Sequence, residues 1–160
     1  MAYGKKNRRM NIVTTVKMKI ARMMVSGFPL NAIRILGLKM CGFQVGKNVY
    51  VGSGLILTMF NSNSKCELVI GDRVAIAPRV TLVLASDANW SKLNELIQPV
   101  EGKIVLENDC WIGTGVIVLP NIVIGEMSVV GAGSVVNKNV SPYTVVAGNP
   151  ARLLKELNIT

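Results

Sequence analysis

The sequence contains no histidine, and aromatic residues make up only 5% of its 160 positions. The absence of histidine excludes zinc sites built on imidazole ligands, including those of carbonic anhydrases that need three histidines. The three cysteines, Cys41, Cys66 and Cys110, are odd in number and widely spaced, so neither a disulfide framework nor a zinc knuckle is predicted. We therefore expect no metal, and reduced thiols in a cytoplasmic location.

Acidic residues are absent from the first 39 positions, which hold nine of the 18 Lys and Arg residues. Residues 40–160 carry nine basic and nine acidic residues, so the net charge of +9 belongs to the N-terminal segment. Apolar residues recur in that segment at helical spacing with basic residues between them: Val13, Val16, Ile20 and Met24, with Lys17, Lys19 and Arg22. The pattern predicts a basic amphipathic helix within residues 1–40.

Two partners remain open for this helix, an anionic membrane surface and the body of the protein itself. The uncharged run 23–33 is too short to span a bilayer and contains Pro29. The sequence has no long apolar stretch followed by a cleavage site, so a signal peptide is not predicted. Nucleic acid is not an expected partner, because no aromatic residues alternate with the basic ones. The inner face of the membrane therefore stays open as a location, through residues 1–39.

An aliphatic residue returns every six positions through most of the chain. These positions are Ile70, Ile76, Leu82, Leu106, Ile112, Val118, Ile124, Val130 and Val136. A strand has a period of two residues and a helix a period of about 3.6, so a period of six fits neither alone. It predicts a short strand and a turn, repeated, with three hexads closing one triangular coil. Stacked coils would form a parallel β-helix over residues 41–148.

The six-residue period is interrupted between Leu82 and Leu106 by a polar stretch that contains Asn89 and Trp90. Removing residues 88–105, three hexads in length, leaves the frame intact. We therefore predict that loop 88–105 is ejected from the wall, and such loops commonly carry function.

A helix is predicted for the C-terminal residues 149–160. Pro150 suits the first turn of a helix, and Leu153, Leu154 and Leu157 would give it one apolar face. The predicted architecture is thus an all-β helix with a helical N-terminal cap and a short C-terminal helix.

The stretch "DCWIGTGVIVLPNIVIGEMSVVGAGSVVNKNVSPYTVVAGNPAR", residues 109–152, resembles the hexapeptide-repeat acyltransferases. The resemblance is strongest to the maltose, galactoside and capsular-sugar O-acetyltransferases and covers roughly residues 43–155. It implies a left-handed parallel β-helix and a homotrimer with each active site between two prisms. It also implies acetyl-CoA as donor and a sugar or glycan acceptor, as in bacterial polysaccharide biosynthesis.

The resemblance assigns roles to particular residues. Asp87 stands where the family places its catalytic histidine, at the end of the run "VTLVLASD", and Trp111 matches the tryptophan of the family's "W-I-G". Asn89 and Trp90 follow Asp87 and are expected at the acceptor. The residues expected to bind the coenzyme are Gly113, Thr114, Gly115, Ala132, Ser134, Lys138, Pro150 and Arg152, with Lys155 a further cation. Cations suit a polyanionic coenzyme.

Three activities remain open because Asp87 replaces a histidine. An aspartate can take a proton from a sugar hydroxyl only in a dry site. An amino sugar needs a weaker base, which would make the protein an N-acetyltransferase. Alternatively, Asp87 only caps a turn in "SDAN", and the chain is an inactive trimeric scaffold.

Overall fold

The computed structural model describes residues 12–60 and 66–158. Helices α1 (Ile12–Gly27) and α2 (Asn31–Met40) come first, and a 3₁₀ turn (Lys92–Glu95) lies midway along the chain. The strands are β1 (Gln44–Val45), β2 (Tyr50–Val51), β3 (Ile56–Thr58), β4 (Glu67–Ile70), β5 (Ala75–Ile76), β6 (Thr81–Val83), β7 (Ala85–Ser86), β8 (Val100–Glu101), β9 (Lys103–Leu106), β10 (Trp111–Ile112), β11 (Ile117–Val118), β12 (Ile122–Ile124), β13 (Val129–Val130), β14 (Val135–Val136), β15 (Thr144–Gly148) and β16 (Ala151–Glu156).

The strands form three parallel walls, as the six-residue period predicts. Wall A contains β1, β4, β9 and β12, wall B contains β2, β5, β10, β13 and β15, and wall C contains β3, β6, β11 and β14. Successive coils stack in register, so that Ile112 of β10 lies between Ile76 and Val130. The chain therefore winds as stacked triangular coils.

The aliphatic residues of the hexads fill the interior of the prism. All nine positions of the six-residue series are at most 2% exposed, and burying each contributes about 1.5–3 kcal/mol. Two of the residues that fill the corners between walls are serines, and their hydroxyl groups form hydrogen bonds to nearby main-chain oxygens. Ser128 and Ser134 donate to the carbonyl oxygens of Gly125 and Gly131, each at 2.6 Å.

The stretch that interrupts the six-residue period forms a projecting hairpin. Leu82 and Ile104 are 22 residues apart, whereas their stacked partners Val118 and Ile122 are four apart, so the insertion is 18 residues long. Strands β7 and β8 pair antiparallel at its base, and the Gly102 N–H donates to the Leu84 oxygen. The predicted boundaries 88–105 are wrong. An insertion of one full coil leaves the six-residue period unchanged wherever it begins, so the period gives the length of the insertion but not its position.

The predicted C-terminal helix is also wrong within the described residues. Residues 151–156 form β16, which pairs antiparallel with β15 at the end of wall B. An unpaired β15 would leave main-chain N–H and C=O groups open at the edge of the sheet. The need to pair them outweighs the helical spacing of Leu153, Leu154 and Leu157.

The predicted N-terminal helix is present, followed by a second one. The two helices meet where Gly37 of α2 lies against Ala21 of α1, so close that a Cβ on Gly37 would lie 2.7 Å from the Ala21 oxygen. Buried Arg34 fixes α2 to the prism by donating to the carbonyl oxygen of Val51. It also holds the connection between the two helices by donating to the carbonyl oxygens of Phe28 and Pro29. In the described part of the chain, no helix combines the length and apolar character needed to cross a bilayer.

The face of α1 that contacts the body differs from the face that the sequence suggested. Ala21 and Val25 are buried, whereas Val13, Val16 and Ile20 are exposed. Met24 is half-buried at the edge of the contact. The small side chain of Ala21 allows the close approach of α2, and so decides which face of α1 packs inward.

Candidate active site

Asp87 lies at the start of the projecting hairpin, directly after β7. Its Oδ1 accepts the main-chain N–H of Asn89 at 3.1 Å. Asn89 has a φ of 49°, which suits asparagine in such a turn. Asp87 is exposed in the single chain, so any dry environment around its carboxylate has to come from another molecule.

The same turn positions the two residues expected at the acceptor. The Asn89 oxygen accepts a hydrogen bond from the Asn94 side chain, which ties the turn to the 3₁₀ segment. Trp90 is 89% exposed. Apolar side chains continue along the hairpin through Leu93, Leu96, Ile97 and Val100, all exposed. The hairpin therefore offers an apolar surface next to Asp87 and Asn89.

Trp111 lies on the outer surface of wall B, in β10, and is 57% exposed. Its neighbours on the adjacent strands are Ala75 and Val129, so its indole stands beside smaller side chains. The turn before it is held by Arg73, which donates to both carboxylate oxygens of Asp109 at 2.6 Å. Hydrogen bonding and attraction by Arg73 lower the pKa of Asp109. Trp111 is thus presented outward from a fixed turn.

Cys110, between Asp109 and Trp111, points into the core. Burial raises the pKa of its thiol to about 12. The side chain therefore remains a thiol at neutral pH, and a reactive thiolate beside Trp111 is excluded.

Four of the residues expected at the coenzyme lie together at the corner between walls B and C. Residues 113–115 turn from β10 to β11, and Ala132 occupies the same turn one coil later. The Gly133 N–H donates to the Thr114 oxygen at 2.8 Å. A Cβ on Gly113 would lie 2.6 Å from the Ala132 nitrogen, whereas a Cβ on Gly115 would meet nothing within 4 Å. The B–C corner is therefore a column of small residues with open space beside its main chain.

Ser134, at the same corner, is fully buried. Its hydroxyl donates to the Gly131 oxygen and accepts the Gly148 N–H at 3.0 Å. The expectation that Ser134 contacts the coenzyme is therefore wrong, because its side chain lies inside the prism. Its role is to hold the last two coils together.

Lys138 and Arg152 line one cavity of about 340 Å³ at the C-terminal end of the prism. Its remaining lining residues are Val136, Asn139, Val140, Ser141, Thr144, Val146, Ala151, Leu153 and Glu156. Pro150 is exposed at the turn between β15 and β16, and Lys155 is exposed on β16. The sequence did not indicate Asn139 or Glu156 as lining residues. Asn139 follows Lys138 in the turn after β14, and the antiparallel return of β16 brings Glu156 to the same cavity.

The chain matches the family model for the bacterial transferase hexapeptide (six repeats) over residues 103–138. It is 35% identical over 122 residues to a galactoside O-acetyltransferase of Escherichia coli, a match that covers 72% of this chain and 58% of that protein. A galactoside O-acetyltransferase of Lactococcus lactis is 35% identical over 115 residues, covering 71% of this chain and 55% of that protein. The chain belongs to the hexapeptide-repeat acetyltransferases.

Solved structures of hexapeptide-repeat acetyltransferases share this fold. One from Vibrio cholerae has a TM-score of 0.67 at 25% identity, covering 92% of each chain. A maltose O-acetyltransferase of Clostridium difficile has a TM-score of 0.62 at 26% identity, covering 93% of this chain and 90% of that one. Family membership confirms the resemblance seen in the sequence and implies left-handed winding.

The chain spans a little more than half the length of the curated hexapeptide-repeat relatives that it matches, 58% and 55%. The candidate site itself falls into three groups: Asp87 with Asn89 on the hairpin, Trp111 on wall B, and the B–C corner with the end cavity. Asp87 follows wall C, so a single chain presents it and Trp111 from different walls.

Proposed function

We propose that this protein transfers an acetyl group from acetyl-CoA to a hydroxyl group of a sugar or glycan precursor. The observation that carries the proposal is the column of small residues at the B–C corner, together with a cavity at the C-terminal end of the prism whose lining has two cations, Lys138 and Arg152, and one carboxylate, Glu156. A galactoside acetyltransferase solved in complex with coenzyme A has the same fold, with a TM-score of 0.61 at 26% identity.

The described residues fit the coenzyme by their chemistry. The main chain at Gly115 and Gly133 is open, since a Cβ at either position would meet nothing within 4 Å. A narrow, flexible arm can therefore lie against the corner without displacing side chains. Lys138 and Arg152 would pair with phosphates at the cavity. When bound, acetyl-CoA would supply an acetyl group activated as a thioester.

The hairpin would hold the acceptor. Trp90 would stack on an apolar face of a sugar ring, and Asn89 would bind a hydroxyl group. The carboxylate of Asp87 would accept the proton of the attacking hydroxyl group. This role needs water to be excluded, and Trp111 of a neighbouring subunit would supply part of the cover. We therefore include a homotrimer in the proposal, with each site between two subunits.

An amine acceptor is the second candidate. An N-acyltransferase of Bacillus cereus, solved with dTDP and 3-hydroxybutyryl-CoA, has a TM-score of 0.56 at 25% identity and covers 71% of this chain. A fraction of an amine is already unprotonated at neutral pH, so Asp87 would need only to orient it. The third candidate is an inactive trimeric scaffold, which would bind neither substrate.

Binding and transfer can be tested separately. Acetyl-CoA is expected to raise the unfolding temperature, and the double variant Lys138→Gln/Arg152→Gln should lose most of this rise. The control Lys47→Gln/Lys92→Gln removes two exposed cations outside the cavity and should keep it. No rise at millimolar acetyl-CoA in the unmodified protein would favour the scaffold.

The class of acceptor is then identified by measuring the free coenzyme A thiol that acetyl transfer releases. Hydroxyl-bearing sugars, their amino-sugar counterparts and buffer alone are compared at equal concentration. Release with hydroxyl sugars supports the proposal, and release only with amino sugars supports the second candidate.

A further inference from the structure

Helix α1 has two apolar faces on opposite sides. The inner face, with Ala21 and Val25, is buried against the protein. At about 100° of rotation per residue, Ile12, Val16, Ile20 and Met23 fall on the opposite side, and we call these four residues the outer stripe. They are 79%, 49%, 44% and 65% exposed. An apolar stripe that faces away from the body on a packed helix is unusual unless something binds it.

Basic residues lie on both sides of the outer stripe. By the same rotation, Lys19 falls along one edge of the stripe, and Lys17 falls about 60° beyond the other edge, between Ile20 and the buried Ala21. Both lysines are exposed. Of the remaining cations in the two helices, Arg22 and Arg34 turn inward, and Lys39 is exposed near the end of α2. Arg22 donates to the Met59 oxygen at 3.0 Å, and Arg34 is buried against main-chain carbonyls. The positive charge on the outward side of α1 is therefore concentrated beside the stripe.

The sequence around α1 contains nothing to neutralise this charge. No acidic residue occurs in positions 1–39, and the motif "KKNRR" precedes the helix in sequence. A second copy of the chain packed stripe to stripe would bring lysine edges together without an acidic partner, which is unfavourable. A surface that accepts aliphatic side chains and is rich in negative charge fits better.

From these observations we propose that α1 binds the surface of an anionic phospholipid membrane. The outer stripe would enter the boundary between headgroups and acyl chains, and Lys17 and Lys19 would extend to the headgroups. The helix would lie in the plane of the surface, since its 16 residues are too few to cross a bilayer. The proposal concerns α1 alone and does not depend on acetyl transfer.

Cosedimentation of the full chain with vesicles tests the proposal. Vesicles of phosphatidylglycerol and phosphatidylcholine are compared with phosphatidylcholine alone, at low and high salt. Binding is expected to the anionic vesicles and to weaken with salt. Lys17→Gln/Lys19→Gln should weaken it about 25-fold, since each basic side chain near the surface contributes about a factor of five.

The stripe is tested with Val16→Ser/Ile20→Ser, which removes two exposed aliphatic side chains and replaces them with residues of similar helix propensity. This variant should keep the unfolding temperature and weaken vesicle binding at least about tenfold. Two controls should bind as the unmodified protein does. Leu96→Ser/Ile97→Ser removes exposed aliphatic residues from the hairpin, and Lys47→Gln/Lys92→Gln removes cations elsewhere.

Three results would overturn the proposal. The first is no binding, or equal binding to neutral vesicles. The second is anionic binding that the stripe variant leaves unchanged, which would assign the contact to the basic residues alone. The third is a change of oligomeric mass in the stripe variant without vesicle binding, which would make the stripe an interface between copies of the chain.

Discussion

Asp87 has two roles in the proposal, and one substitution separates them. In Asp87→Asn the amide oxygen can still accept the Asn89 N–H, so the turn should persist, while the negative charge is lost. We expect an unchanged unfolding temperature and a kcat that is lower by a factor of about 100 or more, the usual contribution of a general base. Steady-state thiol release with the identified acceptor measures it.

A matched control for this variant lies elsewhere on the prism. Asp72 also caps a main-chain N–H, that of Lys47 at 2.7 Å, but lies at the corner between walls A and B. Asp72→Asn should leave turnover unchanged. Equal turnover in Asp87→Asn and the unmodified protein would show that Asp87 is not the base and acts only in the turn.

Gly113 and Gly115 are both expected at the coenzyme, but for different physical reasons. Gly113 has no room for a side chain because the main chain of the next coil lies against it. Gly115 has room, but its φ is 69°. We expect Gly113→Ala to lower the free energy of unfolding by about 3 kcal/mol through overpacking. Gly115→Ala should cost only about 1–2 kcal/mol of backbone strain.

Gly113→Ala should lose more stability, but Gly115→Ala should lose more affinity for acetyl-CoA. A methyl group on Gly115 enters the open space beside the corner, so it should weaken acetyl-CoA binding at temperatures where the variant is fully folded. Denaturant unfolding and coenzyme titration measure the two quantities. Gly27→Ala is the control, because Gly27 has open space and no positive φ. Unaltered coenzyme affinity in Gly115→Ala would place the coenzyme elsewhere.

At the scale of elements, the sequence predicts the walls well and the ends of the chain poorly. The six-residue pattern predicts which side chains point inward. This is a local property of each hexad, and parallel stacking of the coils keeps it. The fate of residues 151–156 depends on the open edge of β15, a long-range partner that helical spacing cannot reveal. The inner face of α1 likewise depends on the fit between Ala21 and Gly37. The site shows a related division. Ser134 comes four residues after Val130, the position in the repeat that fills a corner of the prism, whereas the family resemblance assigned it to the coenzyme, and its burial agrees with the repeat.

The hairpin of β7 and β8 should be removable as a unit. Deleting residues 85–102 joins Leu84 to Lys103, the same connection that Pro120 and Asn121 make one coil later. Walls on both sides of the cut keep their strand pairs. We expect a folded protein that still gains stability from acetyl-CoA but no longer acetylates the acceptor, because it lacks Asp87 and Trp90.

Thermal unfolding with and without acetyl-CoA, followed by the thiol assay, tests the deletion. If the deletion variant does not fold, Trp90→Ala with the hairpin intact should lower transfer while keeping coenzyme binding. Transfer at the normal rate in either folded variant would contradict a role for the hairpin at the acceptor.

At the scale of the whole molecule, Asp87 lies on the hairpin that follows wall C, and Trp111 lies on wall B. The proposed trimer would bring Asp87 of one chain beside Trp111 of the next. This arrangement predicts complementation between inactive variants. Asp87→Asn and Trp111→Ala should each be nearly inactive alone, and random mixing in a trimer should restore about one quarter of the sites.

The mixing experiment requires the subunits to exchange, so the two variants are unfolded together and refolded, or are coexpressed with different tags. Molar mass by light scattering confirms that the mixed species is a trimer. Each variant refolded alone is the control for activity regained without exchange. Activity equal to the average of the separate variants would show that Asp87 and Trp111 do not act in one shared site. A site within a single prism would then have to form around Asp87 without Trp111.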